Sequence, residues 1–153
     1  MFEKTTDELM NQLKSADVSR PEEFLKKHSS EMFDEQNPFG SYMRSLFQKH
    51  KIKQQDVFLK ADFSQRYGYR LISGERRTKQ RDYILRLCLG AEFTLDETQR
   101  ALQIYGMSRL YIRIPRDAVL IMCIEQGIYD IFKINQQLAE HQMPMLKAST
   151  MDD

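Results

Sequence analysis

The 153-residue chain contains few residues of the kinds that interrupt helices, cross-link segments or bind metals. It has four prolines, six glycines, two cysteines and three histidines, and it has no tryptophan. Its apolar residues recur three or four positions apart instead of alternating, which is typical of helices and not of strands. This periodicity and the shortage of helix breakers together predict an all-α protein.

Cysteine and histidine are too sparse to indicate a metal or catalytic site. Cys88 and Cys123 each lie among apolar neighbours, with no second cysteine or histidine at the spacing of a metal-binding pair. His28, His50 and His141 are isolated from one another in the sequence. We therefore predict two core cysteines, no metal and no cofactor.

Motifs of enzymes and of membrane proteins are also missing. The sequence has no phosphate-binding glycine-rich loop, no nucleophile elbow and no carboxylate pair on a recognisable strand, which argues against an enzyme. Its longest apolar run is the seven residues 118–124. A membrane-spanning helix needs about 20 such residues, and we identify no secretory signal either. The expectation is a soluble, cytoplasmic protein that does not contact a membrane.

Charge is distributed unevenly, although the formal net charge is only +1. Residues 44–81 contain eleven lysines and arginines against three acidic residues, a local charge of +8. The segment 1–43 before it sums to −4, and the segment 82–153 after it sums to −3. A concentrated basic segment between acidic ones is typical of a surface that binds phosphate groups.

Capping signals and apolar spacing predict where the helices lie. Asn37-Pro38 begins an amphipathic helix, and two short helices follow over 54–61 and 64–72, joined by a tight turn. Two such helices and their turn form a helix-turn-helix. Later helices are predicted from about Lys79, from a capping box at Thr94 and Glu97 to Gly106, over 116–126 and over 128–140.

These helices divide the chain into four segments. We predict an acidic, partly flexible helical segment at 1–36, a helix-turn-helix domain at 37–106, a helical extension at 107–143 and a disordered tail at 144–153. The apolar run 118–124 fits either a buried core helix or a helix that completes a dimer interface.

The stretch from Ile52 to Arg77 resembles the helix-turn-helix of the Xre family, the Cro and lambda-repressor class of bacterial and phage regulators. The residues that match this motif are Gln54, Val57, Ser64, Leu71, Gly74, Arg76, Arg77 and Lys79. A looser likeness to members with an acidic N-terminal helix and a helical C-terminal extension covers residues 20–143. The resemblance implies a lambda-repressor-like five-helix domain followed by a helical hairpin.

By this resemblance, the helix at 64–72 lies in the major groove of double-stranded DNA. Gln65, Arg66 and Arg70 then occupy base-contacting positions, where arginine pairs with guanine and glutamine with adenine. The expected contacts to DNA phosphates are Lys53, Gln54, Ser64, Tyr67, Arg76, Arg77 and Lys79. Tyr67 and Tyr69 fit either a DNA contact or the core. The implied function is a sequence-specific transcriptional regulator.

Three positions depart from the family pattern: Phe58 replaces a small alanine, Asp62 a turn glycine and Thr78 a proline. Phe58 is expected to face Gly68 of the second helix, so that a large residue opposite a glycine conserves volume. Asp62 is expected to accept left-handed backbone, which aspartate adopts more readily than most residues.

An alternative interpretation keeps the helix-turn-helix scaffold but replaces DNA with a protein partner. Phe58, Asp62 and the small net charge favour it, and the partner would bind the exposed tyrosine and arginine surface or the C-terminal helices. Proteins of the resembled class commonly act as dimers on two-fold symmetric sites, so a homodimer is a further expectation. In the DNA-binding interpretation, the acidic N-terminal segment would cover the basic surface when DNA is absent.

Overall fold

The computed structural model describes residues 4–33, 36–151 and 153. All regular secondary structure in these residues is helical, which confirms the all-α prediction. None of the described helices has the length and apolar character that a membrane span requires. The chain divides into a small unit, Met1–Gln36, and a larger unit, Asn37–Asp153.

The described residues form nine α-helices and one short 3₁₀ turn, Ser29–Glu31. The helices are α1 Thr6–Lys14, α2 Pro21–Lys27, α3 Pro38–Lys49, α4 Gln54–Ala61, α5 Gln65–Ser73, α6 Arg81–Gly90, α7 Leu95–Tyr105, α8 Pro115–Glu125 and α9 Ile131–Glu140.

The small unit contains α1 and α2 and has little core. Neither helix has a buried residue, whereas His28 is buried and packs against the Phe24 ring at a centroid distance of 4.5 Å. Thr5 and Glu8 exchange hydrogen bonds at the start of α1, which fixes the first turn of this exposed helix.

Helices α3 to α7 enclose the core of the larger unit. Helix α6 contacts α4, α7 and α9, while α3 contacts α5 and α7. The fully buried side chains include Met43, Val57, Phe58, Ala61, Ile84, Leu87, Cys88, Phe93, Ala101 and Leu102. Cys88 and Cys123 are both buried free thiols, which confirms their predicted place in the core.

A glycine allows α6 to cross α4 closely. A Cβ atom at Gly90 would lie 2.7 Å from the carbonyl oxygen of Val57 and 3.2 Å from the backbone nitrogen of Ala61. Backbone atoms cannot yield as a flexible side chain can, so a larger residue at this position would push the two helices apart.

Helix α8 is joined to α6 by two crossed ion pairs. Arg81 binds both carboxylate oxygens of Asp117 at 3.0 and 2.9 Å, and Arg116 binds both carboxylate oxygens of Asp82 at 2.9 Å. Asp117 is 2% exposed and also accepts the backbone N–H of Tyr111 at 2.9 Å. Two paired, planar contacts therefore set the position of the start of α8 on the start of α6.

Part of the segment 144–153, for which the sequence predicts a disordered tail, packs against the core. Leu146 is buried, and the buried Arg86 donates to the carbonyl oxygens of Leu146, Lys147 and Ala61 at 2.9, 2.7 and 3.1 Å. Each accepting carbonyl satisfies part of a guanidinium that would otherwise be costly to bury. The hydrogen bonds from Arg86 of α6 therefore hold the backbone of residues 146 and 147 in place.

Candidate nucleic-acid interface

Helices α4 and α5 are joined by the three residues 62–64. Asp62 ends α4 with φ 61° and ψ 45°, which confirms that aspartate here occupies the left-handed region. Ser64 then caps α5, since its Oγ accepts the backbone N–H of Tyr67 at 3.1 Å. A left-handed residue followed by a capped helix start reverses the chain direction within a short turn.

Phe58 of α4 fills the space left by Gly68 of α5. The Phe58 side chain is fully buried, and a Cβ atom added at Gly68 would collide with its ring. The predicted exchange of volume between the two helices is therefore present. The same ring packs edge-to-face against the ring of Tyr69, with centroids 5.1 Å apart.

The end of α5 is fixed to the start of α3 by Asn37. The Asn37 Oδ1 accepts the backbone N–H of Gly40 at 3.0 Å, and its Nδ2 donates to the carbonyl oxygen of Ile72 at 2.8 Å. One side chain thus caps α3 and satisfies a terminal carbonyl of α5. With Leu71 and Ile72 buried, the inner face of α5 is held and its outer face is presented to solvent.

Tyr67 belongs to the core, so its predicted contact with a DNA phosphate is wrong. It is 5% exposed and packs edge-to-face between Phe63 and Tyr83, with ring centroids 5.5 and 5.9 Å away. Burial raises the pKa of Tyr67, although a hydrogen bond with Thr78 opposes the change. Tyr69 is the outward tyrosine of α5, at 49% exposure.

The three predicted base-contacting residues share the outer face of α5 with Tyr69. Arg66 is exposed, and Arg70 is half-buried with its Nε 3.4 Å from the carboxylate of Glu75. Gln65 donates from Nε2 to the carbonyl oxygen of Gln55 at 3.0 Å. This last bond places the first turn of α5 beside the first turn of α4.

The predicted phosphate contacts lie at three places. Lys53 precedes α4 and is exposed, and Gln54 begins that helix half-buried. Ser64 uses its hydroxyl to cap α5, as described above. The others, Arg76, Arg77 and Lys79, are exposed residues of the loop 74–80, which follows α5.

The loop 74–80 is held against the end of α7 by Tyr105, a residue that the sequence does not single out. The Thr78 backbone N–H donates to the Tyr105 hydroxyl at 2.8 Å. The Arg77 guanidinium lies 4.5 Å from the centre of the Tyr105 ring. It also donates a hydrogen bond to the backbone carbonyl oxygen of Tyr105 at 3.4 Å. The loop therefore presents its basic residues from a fixed backbone.

Ion pairs separate the basic residues of the 44–81 segment into two groups. Lys49 pairs with Glu97 and Lys60 with Glu92, at 3.7 and 4.0 Å, while Arg81 belongs to the pairs with α8. By contrast, three exposed cations of the predicted site make no ion pair with any described residue. These are Lys53, Arg66 and Lys79. Their charge is available to an external anion.

Within the described part of the chain, no three histidine, cysteine, aspartate or glutamate side chains are grouped so that they could hold a metal ion. No family model, curated protein or solved structure matches the sequence or its fold. The geometry of the α4–α5 pair and the loop 74–80 is therefore the basis for a functional proposal.

Proposed function

We propose that this chain is a sequence-specific DNA-binding regulator with a lambda-repressor-like helix-turn-helix of the Xre class. In this proposal α5 enters the major groove and the start of α4 and the loop 74–80 bind phosphates. The observation that carries it is the outer face of α5. The inner face of this helix is held by Asn37 and by the core. Its outer face carries the side chains of Gln65, Arg66, Tyr69 and Arg70.

The existing contacts of two base-reading candidates are weak enough to be exchanged for DNA. The Arg70–Glu75 pair lies at the surface, and such pairs contribute about 0–1 kcal/mol. A bidentate contact between arginine and guanine provides about 1–3 kcal/mol of discrimination. The Gln65 bond to the Gln55 carbonyl is likewise exposed and exchangeable with an adenine edge. Binding DNA therefore costs little in lost protein contacts.

A protein-interaction module is the second candidate, and the C-terminal helices favour it. Met122 is 52% exposed although it lies in the apolar run 118–124. It lines a surface groove between α8 and α9 together with Val119, Cys123, Ile128 and Met143. Such an apolar groove fits a protein partner or a second copy of the chain. The two candidates differ most clearly in how salt affects binding.

The proposal predicts steep salt dependence. Fluorescence anisotropy of the full chain with a random-sequence duplex of about 20 base pairs, from about 50 to 200 mM salt, measures it. For about five phosphate contacts, the slope of log K against log salt is expected near −4.5. The Lys53→Gln variant is expected to reduce the slope by about 0.9 for every DNA sequence.

Lys133→Gln is the matched control, because Lys133 is an exposed cation on α9, away from α4 and α5 in sequence and in element. It removes the same charge and is expected to leave the slope unchanged. Absence of DNA binding at the lowest salt would contradict the proposal and support the protein-interaction module.

A further inference from the structure

A second basic stretch lies outside the 44–81 segment, between the last acidic residue of α7 and the first of α8. Residues 98–116 contain four arginines and no aspartate or glutamate. Because acidic residues lie on both sides, the net charge of −3 for residues 82–153 does not reveal this positively charged stretch. Two of its arginines, Arg109 and Arg113, belong to the loop 106–114 that joins α7 to α8.

This loop is held rigidly although it contains no helix. Arg81 donates to the carbonyl oxygens of Ser108 and Arg109 at 3.0 and 2.8 Å. Leu110 is buried, and its backbone N–H and C=O both bind the side-chain amide of Gln99, at 2.7 and 2.8 Å. The loop therefore presents its side chains from a backbone that is already ordered, which lowers the entropy cost of binding.

The start of the loop 106–114 lies beside the loop 74–80 in the fold. Arg77 and Lys79 line a shallow surface depression together with Tyr105, Gly106 and Met107. Tyr105 also accepts the hydrogen bond from Thr78, so the two loops meet at one aromatic ring. The start of the loop 106–114 thus borders the phosphate-binding residues proposed above.

The exposed side chains of the loop favour an anionic partner. Arg113 is exposed and makes no ion pair with any described residue. Arg109 is exposed and is oriented by two hydrogen bonds to the Gln103 Oε1, at 3.1 and 2.6 Å. Two copies of the loop on a two-fold axis would bring like charges together, whereas a phosphate backbone is complementary to them.

We propose that the loop 106–114 is a second DNA-backbone contact, in which Arg109 and Arg113 bind phosphates beyond those reached from α4 and the loop 74–80. This inference rests on the proposed function, because it extends the footprint of the same DNA. It adds an element that the Xre-like motif of the sequence does not include.

Salt-dependent binding of the full chain to the same random duplex tests this contact. The double variant Arg109→Gln, Arg113→Gln is compared with Lys133→Gln, Lys147→Gln, which removes the same charge from exposed lysines elsewhere. In the loop variant, the slope of log K against log salt is expected to be less steep by about 1.8. The Kd of the variant divided by the Kd of the wild type therefore falls about tenfold between about 50 and 200 mM salt. The control is expected to keep the wild-type slope.

Arg113→Gln alone gives a test that does not touch the Arg109–Gln103 contact, and it is expected to reduce the slope by about 0.9. Steep wild-type binding with an unchanged slope in both loop variants would overturn this inference and leave the proposed function intact. A wild-type chain that does not bind DNA would overturn both.

The exposed apolar residues of the loop define one more outcome. Tyr111 and Ile112 are 54% and 70% exposed, which also suits a surface for self-association. If Ile112→Ser converts a dimer to a monomer in sedimentation while the arginine variants keep the wild-type slope, the loop is a protein interface and the DNA contact is wrong.

Discussion

Gly68 and Phe58 show how a glycine on one helix makes room for a large side chain on its neighbour. Glycine inside a helix costs about 1 kcal/mol relative to alanine, but here it leaves room for a phenylalanine ring that is fully buried. The resemblance to the Xre helix-turn-helix predicts this pairing, because the two corresponding positions face each other in that motif. Volume is conserved across the contact even though neither residue is typical there.

Gly68→Leu is expected to lower the free energy of unfolding by about 1–3 kcal/mol or more, since the new side chain collides with the Phe58 ring. Phe58→Ala is expected to cost about 3–5 kcal/mol because it leaves a cavity. The double variant restores the large-opposite-small arrangement in reverse. Urea unfolding of the four proteins measures the coupling, which is expected to exceed about 1 kcal/mol in favour of the double variant. Additive losses would show that the two residues do not share a space.

Tyr67 and Arg86 mark the limit of residue-by-residue prediction. Helical spacing is compatible with Tyr67 either in the core or at a DNA contact. Its packing against the rings of Phe63 and Tyr83 shows that it belongs to the core. The partners of Arg86 are also hard to predict, because its three acceptors include the carbonyl oxygens of Leu146 and Lys147, about 60 residues away in sequence. Local patterns contain no signal for either partner set. Arginine is mostly exposed in proteins, yet Arg86 is buried and binds the backbone of residues 146 and 147.

At the scale of elements, the starts of α3, α5 and α7 are predicted closely, whereas α9 begins at Ile131, after an Asp130 cap, and not at the predicted residue 128. The side chains of Asn37, Ser64 and Thr94 cap α3, α5 and α7 as the sequence indicates. These signals are local, so they survive without knowledge of the fold. Packing of the extension onto α6 has no local signal, since Arg81-Asp82 and Arg116-Asp117 are far apart in the chain and become partners only after folding.

The crossed ion pairs make the attachment of α8 sensitive to pH. Burial acts to raise the pKa of Asp117, but hydrogen bonds from Arg81 and the Tyr111 N–H outweigh it, and the pKa lies below its ordinary value. A lowered pKa in the folded state stabilises the fold above the unfolded value of about 3.9. That stability is lost as pH falls through the folded pKa.

Asp117→Asn is therefore expected to be less stable than the wild type at pH 7 and to lose less stability between about pH 5 and pH 2. Urea unfolding at a series of pH values measures both effects. Asp56→Asn, at an exposed position of α4, is the control and is expected to follow the wild-type curve. If Asp117→Asn also follows that curve, the pairing with Arg81 does not stabilise α8.

For the whole molecule, the position of charge matters more than its sum. A net charge of +1 conceals an exposed basic surface that the structure assembles from the start of α4, the outer face of α5 and the loop 74–80. The basic segment 44–81 is visible in the sequence, whereas the stretch 98–116 is hidden between acidic neighbours. Only folding places that second stretch beside the first, at Tyr105. Segment sums therefore predict the main surface but not its extent.

The central claim is that α5 reads DNA sequence, and selection from a randomised duplex pool tests it most directly. The wild-type chain is expected to enrich a defined, two-fold symmetric site, and Arg66→Ala is expected to lose preference at one base-pair position in each half-site, at a cost of about 1–3 kcal/mol. Lys133→Ala is expected to enrich the wild-type site. A pool that stays random after selection with the wild-type chain, or a site that Arg66→Ala selects unchanged, would contradict the account.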